Sequence, residues 1–170
     1  MRQSIRKVGP AIALAVGCAT GVALAATPAH ALDHPSARFK ATGAGGKQSF
    51  KVTLHRTAAA LGAQEVITCG GTITYPYKSG SDVRVDTQAS CDGIVDSIYL
   101  TLGIGANGVL VNSQDRTVGP ANYNSLSITT PCLAGANTYR GAGIVTFTKA
   151  GYANSPLNMV GQTPSVSITC

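Results

Sequence analysis

Tryptophan is absent from this 170-residue chain, phenylalanine occurs three times, and Glu65 is the only glutamate. With so few large rings, a core has to be assembled mainly from Val, Ile, Leu and Ala. Chemistry is equally scarce. Histidine occurs only at His30, His34 and His55, so a nucleophile–base pair has little to draw on. No G-x-S-x-G nucleophile elbow is present. One glutamate and scattered aspartates do not supply the two carboxylates that glycoside hydrolysis needs across a cleft. No two cysteines stand at C-x-x-C spacing, which removes the usual zinc and dithiol-redox signatures. Asp82, Asp86, Asp92 and Asp96 lie close in sequence but form no D-x-D-x-D calcium loop, and they read as solubilising turn residues. The expectation is a non-enzymatic protein with no cofactor and no metal.

The first thirty-odd residues are of a different kind. Arg2, Arg6 and Lys7 precede an apolar run from Val8 to about Ala25, and Ala29-His30-Ala31 is a small-x-small cleavage site. That order is a secretory signal peptide over 1–31, leaving Leu32 as the mature start and no membrane attachment. Ala15-Val16-Gly17-Cys18 is only a loose lipobox, because Leu is missing and the apolar run continues past Cys18. Export implies an oxidising compartment and a secreted, extracellular protein.

Four cysteines then remain: Cys69, Cys91, Cys132 and Cys170, the last at the chain end. Chain ends fray unless tied down, so a terminal cysteine points to a disulfide that pins the final strand. Four cysteines allow three pairings, which sequence alone does not decide. Sequential bridges, Cys69–Cys91 and Cys132–Cys170, are favoured because small secreted sandwiches often bridge locally.

Glycine, threonine and serine recur throughout the mature chain, a composition of short strands and tight turns rather than helices. Phe50, Val52 and Leu54 alternate with Lys51, Thr53 and His55, giving a strand with one apolar face. From Glu65 onward strands follow in series. Val66–Cys69 leads into Thr72–Tyr75, with Gly70-Gly71 between them as a bulge. Val83–Cys91 alternates, Asp92-Gly93 reads as a turn, Ile94–Ile104 as a long strand and Asn107-Gly108 as a hairpin turn. Leu126–Thr130, Tyr139–Thr148 and Val166–Cys170 complete the set, while 151–164 reads as irregular. About eight short strands predict an all-β, antiparallel immunoglobulin-like sandwich with two disulfides; a closed barrel is the other option. The domain plan is a signal over 1–31, a basic N-terminal arm with a first strand over 32–64, and the stapled sandwich over 65–170.

Charge follows the same division. The net charge is +6, but three positive groups belong to the export segment. Arg38, Lys40, Lys47, Lys51 and Arg56 fall within 32–64, opposed only by Asp33, and the rest of the chain is nearly neutral. Five charges spread this thinly, without interleaved aromatics, read as a solvated, flexible arm and not as a nucleic-acid site. The candidate binding residues are therefore Arg38 and Lys40 in the arm, Phe50, Val52 and Leu54 as a strand able to join a partner's sheet edge, and Tyr75 and Tyr77 around Pro76 as an aromatic patch for cell-wall carbohydrate.

Val66-Ile67-Thr68-Cys69, Ala89-Ser90-Cys91, Pro131-Cys132-x-x-Gly135, Ala150-Gly151-Tyr152 and the terminal Ser165–Cys170 make residues 66–170 resemble a family of small secreted actinobacterial four-cysteine proteins. A basic arm on a four-cysteine sandwich also resembles the adaptor subunit of secreted umbrella toxin particles, where a small protein links a lectin-bearing subunit to a repeat-bearing stalk by inserting extended segments. That resemblance implies a protein partner and a linking role, and it carries no functional residues over. Two other functions fit the lack of catalytic motifs: a carbohydrate or cell-wall binding module using Tyr75 and Tyr77, and a small protease inhibitor, which requires an exposed disulfide-braced loop.

Overall fold

The computed structural model describes residues 37–38, 46–57 and 65–170, the first two by backbone alone. The proposed export segment 1–31 and Lys40 lie outside the described residues. Eleven strands and no helix occur among those described: β1 (Ala37–Arg38), β2 (Lys47–His55), β3 (Val66–Thr74), β4 (Tyr77–Ser79), β5 (Asp82–Val95), β6 (Ser97–Ala106), β7 (Val109–Val118), β8 (Ala121–Pro131), β9 (Ala136–Thr148), β10 (Leu157–Gln162) and β11 (Val166–Thr169). They make two sheets, one ordered β1-β10-β9-β6-β7 with β11 also on β9, the other β2-β3-β5-β4 with β8 also on β5. Every pairing is antiparallel except β1 with β10. The all-β sandwich expected from alternation is the fold. The strands not legible in the sequence are β1, β4 and β10, two of them three residues or shorter.

The centre of the fold is one long ribbon. Its arms are β5 with β6 and β7 with β8, joined at Asn107-Gly108, where both residues take positive φ (51° and 85°) as a two-residue hairpin turn demands. Halfway along, the ribbon folds over, so β5 and β8 pair in one sheet while β6 and β7 pair in the other. Two adjacent breaks make this corner. On one arm, Asp96 interrupts what the sequence presents as one strand from Ile94 to Ile104. Its amide donates to the Thr148 carbonyl (2.8 Å), and its carboxylate accepts the Ala150 amide (2.6 Å) and the Lys149 ammonium (3.2 Å). On the other arm, Gly119-Pro120 turns through a cis peptide, and a Cβ on Gly119 would collide with the Asp96 carbonyl. Asn124 fills the fold of the ribbon. Buried, it donates Nδ2 to the carbonyls of Ile98 (2.9 Å) and Arg116 (3.1 Å), tying β8 to β6 and β7 across the corner.

Inward positions alternate as the period-two pattern requires. Leu54, Ile73, Val83, Val85, Ile98, Leu100, Leu102, Ile104 and Phe147 are wholly buried. Each such aliphatic or aromatic side chain contributes about 1.5–3 kcal/mol by leaving water. Phe50 of β2 faces Phe147 of β9 across the two sheets, ring centroids 6.1 Å apart. Gly70-Gly71 is not a bulge: β2 and β3 run in unbroken register from Lys47↔Thr74 to His55↔Val66. Gly71 is there because Phe50, its direct partner, lays its ring over it; a Cβ would stand 2.5 Å from that ring and 2.5 Å from the Gln88 carbonyl. Asp92-Gly93 is not a turn either. It lies inside β5 at a register shift, and the Asp92 carboxylate accepts the Thr68 amide (2.9 Å) beyond the point where the β3–β5 ladder ends.

The bridges are Cys69–Cys91 and Cys132–Cys170, the sequential pairing. Cys69 and Cys91 are direct cross-strand partners in β3 and β5, with Cα atoms 4.0 Å apart. Cys132 and Cys170 tie the end of β8 to the residue after β11, with Cα atoms 5.7 Å apart.

Candidate interaction site

Of the residues that the sequence singles out for binding, Lys40 lies outside the described ones and the others divide between core and surface. β2 does not stand apart from the sandwich. It supplies one edge of the second sheet over nine paired residues, and Phe50 and Leu54 are buried while Val52 packs against the core. These three side chains cannot serve as a binding face, because they point inward with Gln48 on the buried parity of the strand. The change in composition at residues 64 and 65 is therefore not a boundary between folding units.

The C-terminal half of the β2 edge is also occupied. The segment between β9 and β10 lies along it: Ala153 donates to the His55 carbonyl (2.8 Å), Asn154 Oδ1 accepts the His55 amide (3.0 Å) and Asn154 Nδ2 donates to the Thr53 carbonyl (2.8 Å). Arg56 bridges Tyr152, and Thr57 donates to the Gly151 carbonyl (2.8 Å). Covering an edge with a loop blunts strand addition there, and exposed Lys47 and Lys51 mark the other half. At the first sheet the arm itself takes the edge. Ala37 and Arg38 pair in parallel with Met159 and Val160 of β10, so the arm runs as an added strand beside β10.

Tyr75 and Tyr77 divide. Tyr75 is half-buried at the end of β3, its amide bonded to the Gly46 carbonyl (2.5 Å). Tyr77 is 40% exposed on β4, but its hydroxyl is committed, donating to Asp86 Oδ2 at 2.6 Å. The same carboxylate takes Arg84 Nε on its other oxygen (2.8 Å) and the Ser127 hydroxyl, while Arg84 Nη2 reaches Ser127 Oγ (3.1 Å). Burial would push the Asp86 carboxyl up. The hydrogen bonds from Ser127, Tyr77 and Arg84, with the Arg84 charge, outweigh it and hold the group below the usual carboxylate range. The hydrogen bond to Asp86 raises Tyr77 in turn. This polar network crosses β4, β5 and β8 and closes on itself. The two tyrosines do not form one open aromatic platform.

The four aspartates considered for calcium are each engaged or separate: Asp86 in that network, Asp92 on the Thr68 amide, Asp96 at the ribbon corner and Asp82 paired with Ser79 and Pro131 at strand ends. No cluster of three or more potential metal ligands occurs among the described residues. No helix among them is long and apolar enough to cross a membrane. The loop from Cys132 to Gly135 is braced by its disulfide and by Asn137, whose Nδ2 donates to the carbonyls of Leu133 (3.0 Å), Ala134 (3.2 Å) and Gly135 (3.4 Å). The exposed Leu133 side chain stands at its crest, and this brace had no signal in the sequence beyond the neighbouring cysteine.

No family model, no curated protein and no solved structure matches the chain significantly.

Proposed function

We propose that the protein is a secreted, non-enzymatic interaction module that works as an adaptor, engaging a protein partner through its N-terminal arm. The observation that carries this reading is the pairing of Ala37–Arg38 with the β10 edge. A two-residue parallel strand contributes little by itself, so a longer strand from a partner can replace it on β10, or the arm can leave β10 and add to a partner's sheet. The disulfides support export, since such bridges persist in oxidising compartments. The resemblance to the adaptor subunit of umbrella toxin particles supplies the partner class, a lectin-bearing or a repeat-bearing subunit.

The test removes residues 32–45 and keeps β2, because β2 belongs to the core. Pull-downs from culture supernatant compare this variant with the full mature chain, and circular dichroism checks that both are folded. Loss of partner capture from a folded variant is expected. Unchanged capture sinks the arm reading.

A further inference from the structure

The outer face of the first sheet contains a trench. The outward positions of β6 are Tyr99, Thr101, Gly103 and Gly105, so side chains stop where the two glycines begin. The resulting cavity has a volume of about 340 Å³, with Gly103 and Gly105 beneath, Leu110 on one wall, and Thr138, Arg140 and Gln162 opposite. That volume falls in the range of small-ligand and peptide-side-chain pockets, about 300–1,000 Å³. Neither glycine has a positive φ, so the backbone does not demand them there. What a Cβ would meet is Leu110 Cδ1 at 3.0 Å above Gly103 and the Val109 carbonyl at 3.4 Å beside Gly105.

Leu110 is the second observation. The β6–β7 register runs Gly103↔Ser113 and Ile104↔Asn112, then shifts to Gly105↔Leu110. Val111 is the extra residue of a bulge. Without it, Leu110 would share the inward parity of Asn112, which bonds the Thr129 carbonyl of the other sheet. The bulge re-aims Leu110 to the outer face, where it is 65% exposed and leans toward Gly103.

Arg140 is the third. It pairs with Gly105 across β9 and β6 and is exposed, and its guanidinium has no hydrogen bond or ion pair among the described residues. The acid nearest in register on this face is Asp115, which is opposite Thr101. Four residues at about 3.3 Å each put it about 13 Å along the strands, beyond the screening length of about 8–10 Å at ordinary salt. The cavity therefore presents one uncompensated guanidinium beside a Leu110 wall and a floor of glycine backbone at Gly103 and Gly105.

We infer that this trench binds an acidic peptide segment, with a carboxylate paired to Arg140 and the adjacent aliphatic side chain laid on Gly103 and Gly105 against Leu110. Guanidinium and carboxylate match as two parallel charge-assisted hydrogen bonds, and Gln162 provides for the peptide backbone, while the Thr138 hydroxyl donates to Asn107 Oδ1 (3.3 Å). The carboxylate can be a side chain or a chain terminus, and the probes separate the two. The inference is independent of the arm, which pairs on the opposite side of β10.

The probes are fluorescein-labelled hexapeptides with Leu-Glu, Leu-Gln or Ser-Glu at the centre and an amidated end, and one with Leu-Gln at the centre and a free C-terminal carboxylate beside Leu. Anisotropy titrations use the mature disulfide-bonded protein. Saturable binding of the Leu-Glu peptide is expected, weakened about tenfold or more by Arg140→Gln and by the change to Leu-Gln, with Arg140→Lys intermediate. Leu110→Ser and the Ser-Glu peptide each weaken it several-fold, and raised salt weakens the wild type but not Arg140→Gln. Preference for the free-terminus probe assigns the carboxylate to a chain end. All three substitutions are at two exposed side chains, and circular dichroism confirms folding. No binding at millimolar peptide, or equal binding by Leu-Glu and Leu-Gln peptides and by Arg140→Gln, overturns the inference.

Discussion

Replacing Phe50 with alanine separates a core strand from a detachable arm. Phe50 is 8% exposed, faces Phe147 across the sandwich and covers Gly71. Truncating a buried phenylalanine typically costs about 3–5 kcal/mol, the lost transfer energy plus the cavity left behind. Its site collapses poorly, because Gly71 beneath the ring has no side chain to move into the void. The upper half of that range, about 4–5 kcal/mol, is therefore expected. Against a total of about 5–15 kcal/mol for a domain, this is a large share, and it lowers Tm by roughly 10–20 °C. The assay is urea unfolding with both disulfides intact, followed by far-ultraviolet circular dichroism and tyrosine fluorescence. Lys51→Ala, on the exposed parity of the same strand, is the control and stays within about 0.5 kcal/mol of wild type. A Phe50→Ala loss below about 1 kcal/mol would refute the placement of β2 in the core.

Gly71→Ala destabilises by about 1–3 kcal/mol, and adding Phe50→Ala does not restore it, because the Gln88 carbonyl still meets the new methyl; a double-mutant cycle in urea reads this. Asn124→Ala removes its hydrogen bonds to the Ile98 and Arg116 carbonyls and costs about 1–3 kcal/mol, with hydrogen exchange rising first at the corner near Asp96 and Gly119. Opening Cys132–Cys170 by double serine substitution costs about 4 kcal/mol in the loop-entropy picture, against about 3 for Cys69–Cys91, since the sequence separations are 38 and 22. Only the former exposes the amides of Val166–Thr169 to exchange. Asp86 has a folded pKa below its unfolded value near 3.9, so its contribution is present above that pH and lost as pH falls through the depressed folded value. Asp86→Asn removes that part of the acid dependence, which stability curves from pH 6 down to pH 2 measure.

Alternation made most of the sandwich legible, because period two places Val83, Val85, Ile98, Leu100 and Leu102 on one side whatever the topology. The pairing Asn107-Gly108 identified the ribbon's turn for the same local reason. The bend at Asp96 was not legible, since Asp96-Ser97 lies inside an otherwise apolar run from Ile94 to Ile104 and acts through Ala150 and Lys149, distant in sequence. Gly71 was misread because the same residue type serves bulges and close approach, and only the register against Phe50 tells them apart. β10 was hidden in a glycine- and proline-containing stretch that tertiary pairing with β9 makes regular. For the binding residues, strand parity correctly grouped Phe50, Val52 and Leu54, but nothing in the sequence said that the shared face was inward. Tyr77 looked free because its partner, Asp86, arrives from a neighbouring strand.

The folded ribbon has a consequence for how this chain reaches its native state. All-β sandwiches generally fold slowly, since their contacts join residues far apart in sequence. Here β5 to β8 can zip outward from one two-residue turn, each new pair closing a loop only slightly longer than the last. By the time Asp82 meets Pro131, both central strands and the corner are in place. β3 and β9 then dock on a formed template, and the Cys132–Cys170 bridge can close once β8 and β11 are both in place. The central ribbon is thus a nucleus of low contact order inside a fold of high contact order, and φ-values near the turn should exceed those in β2 and β10.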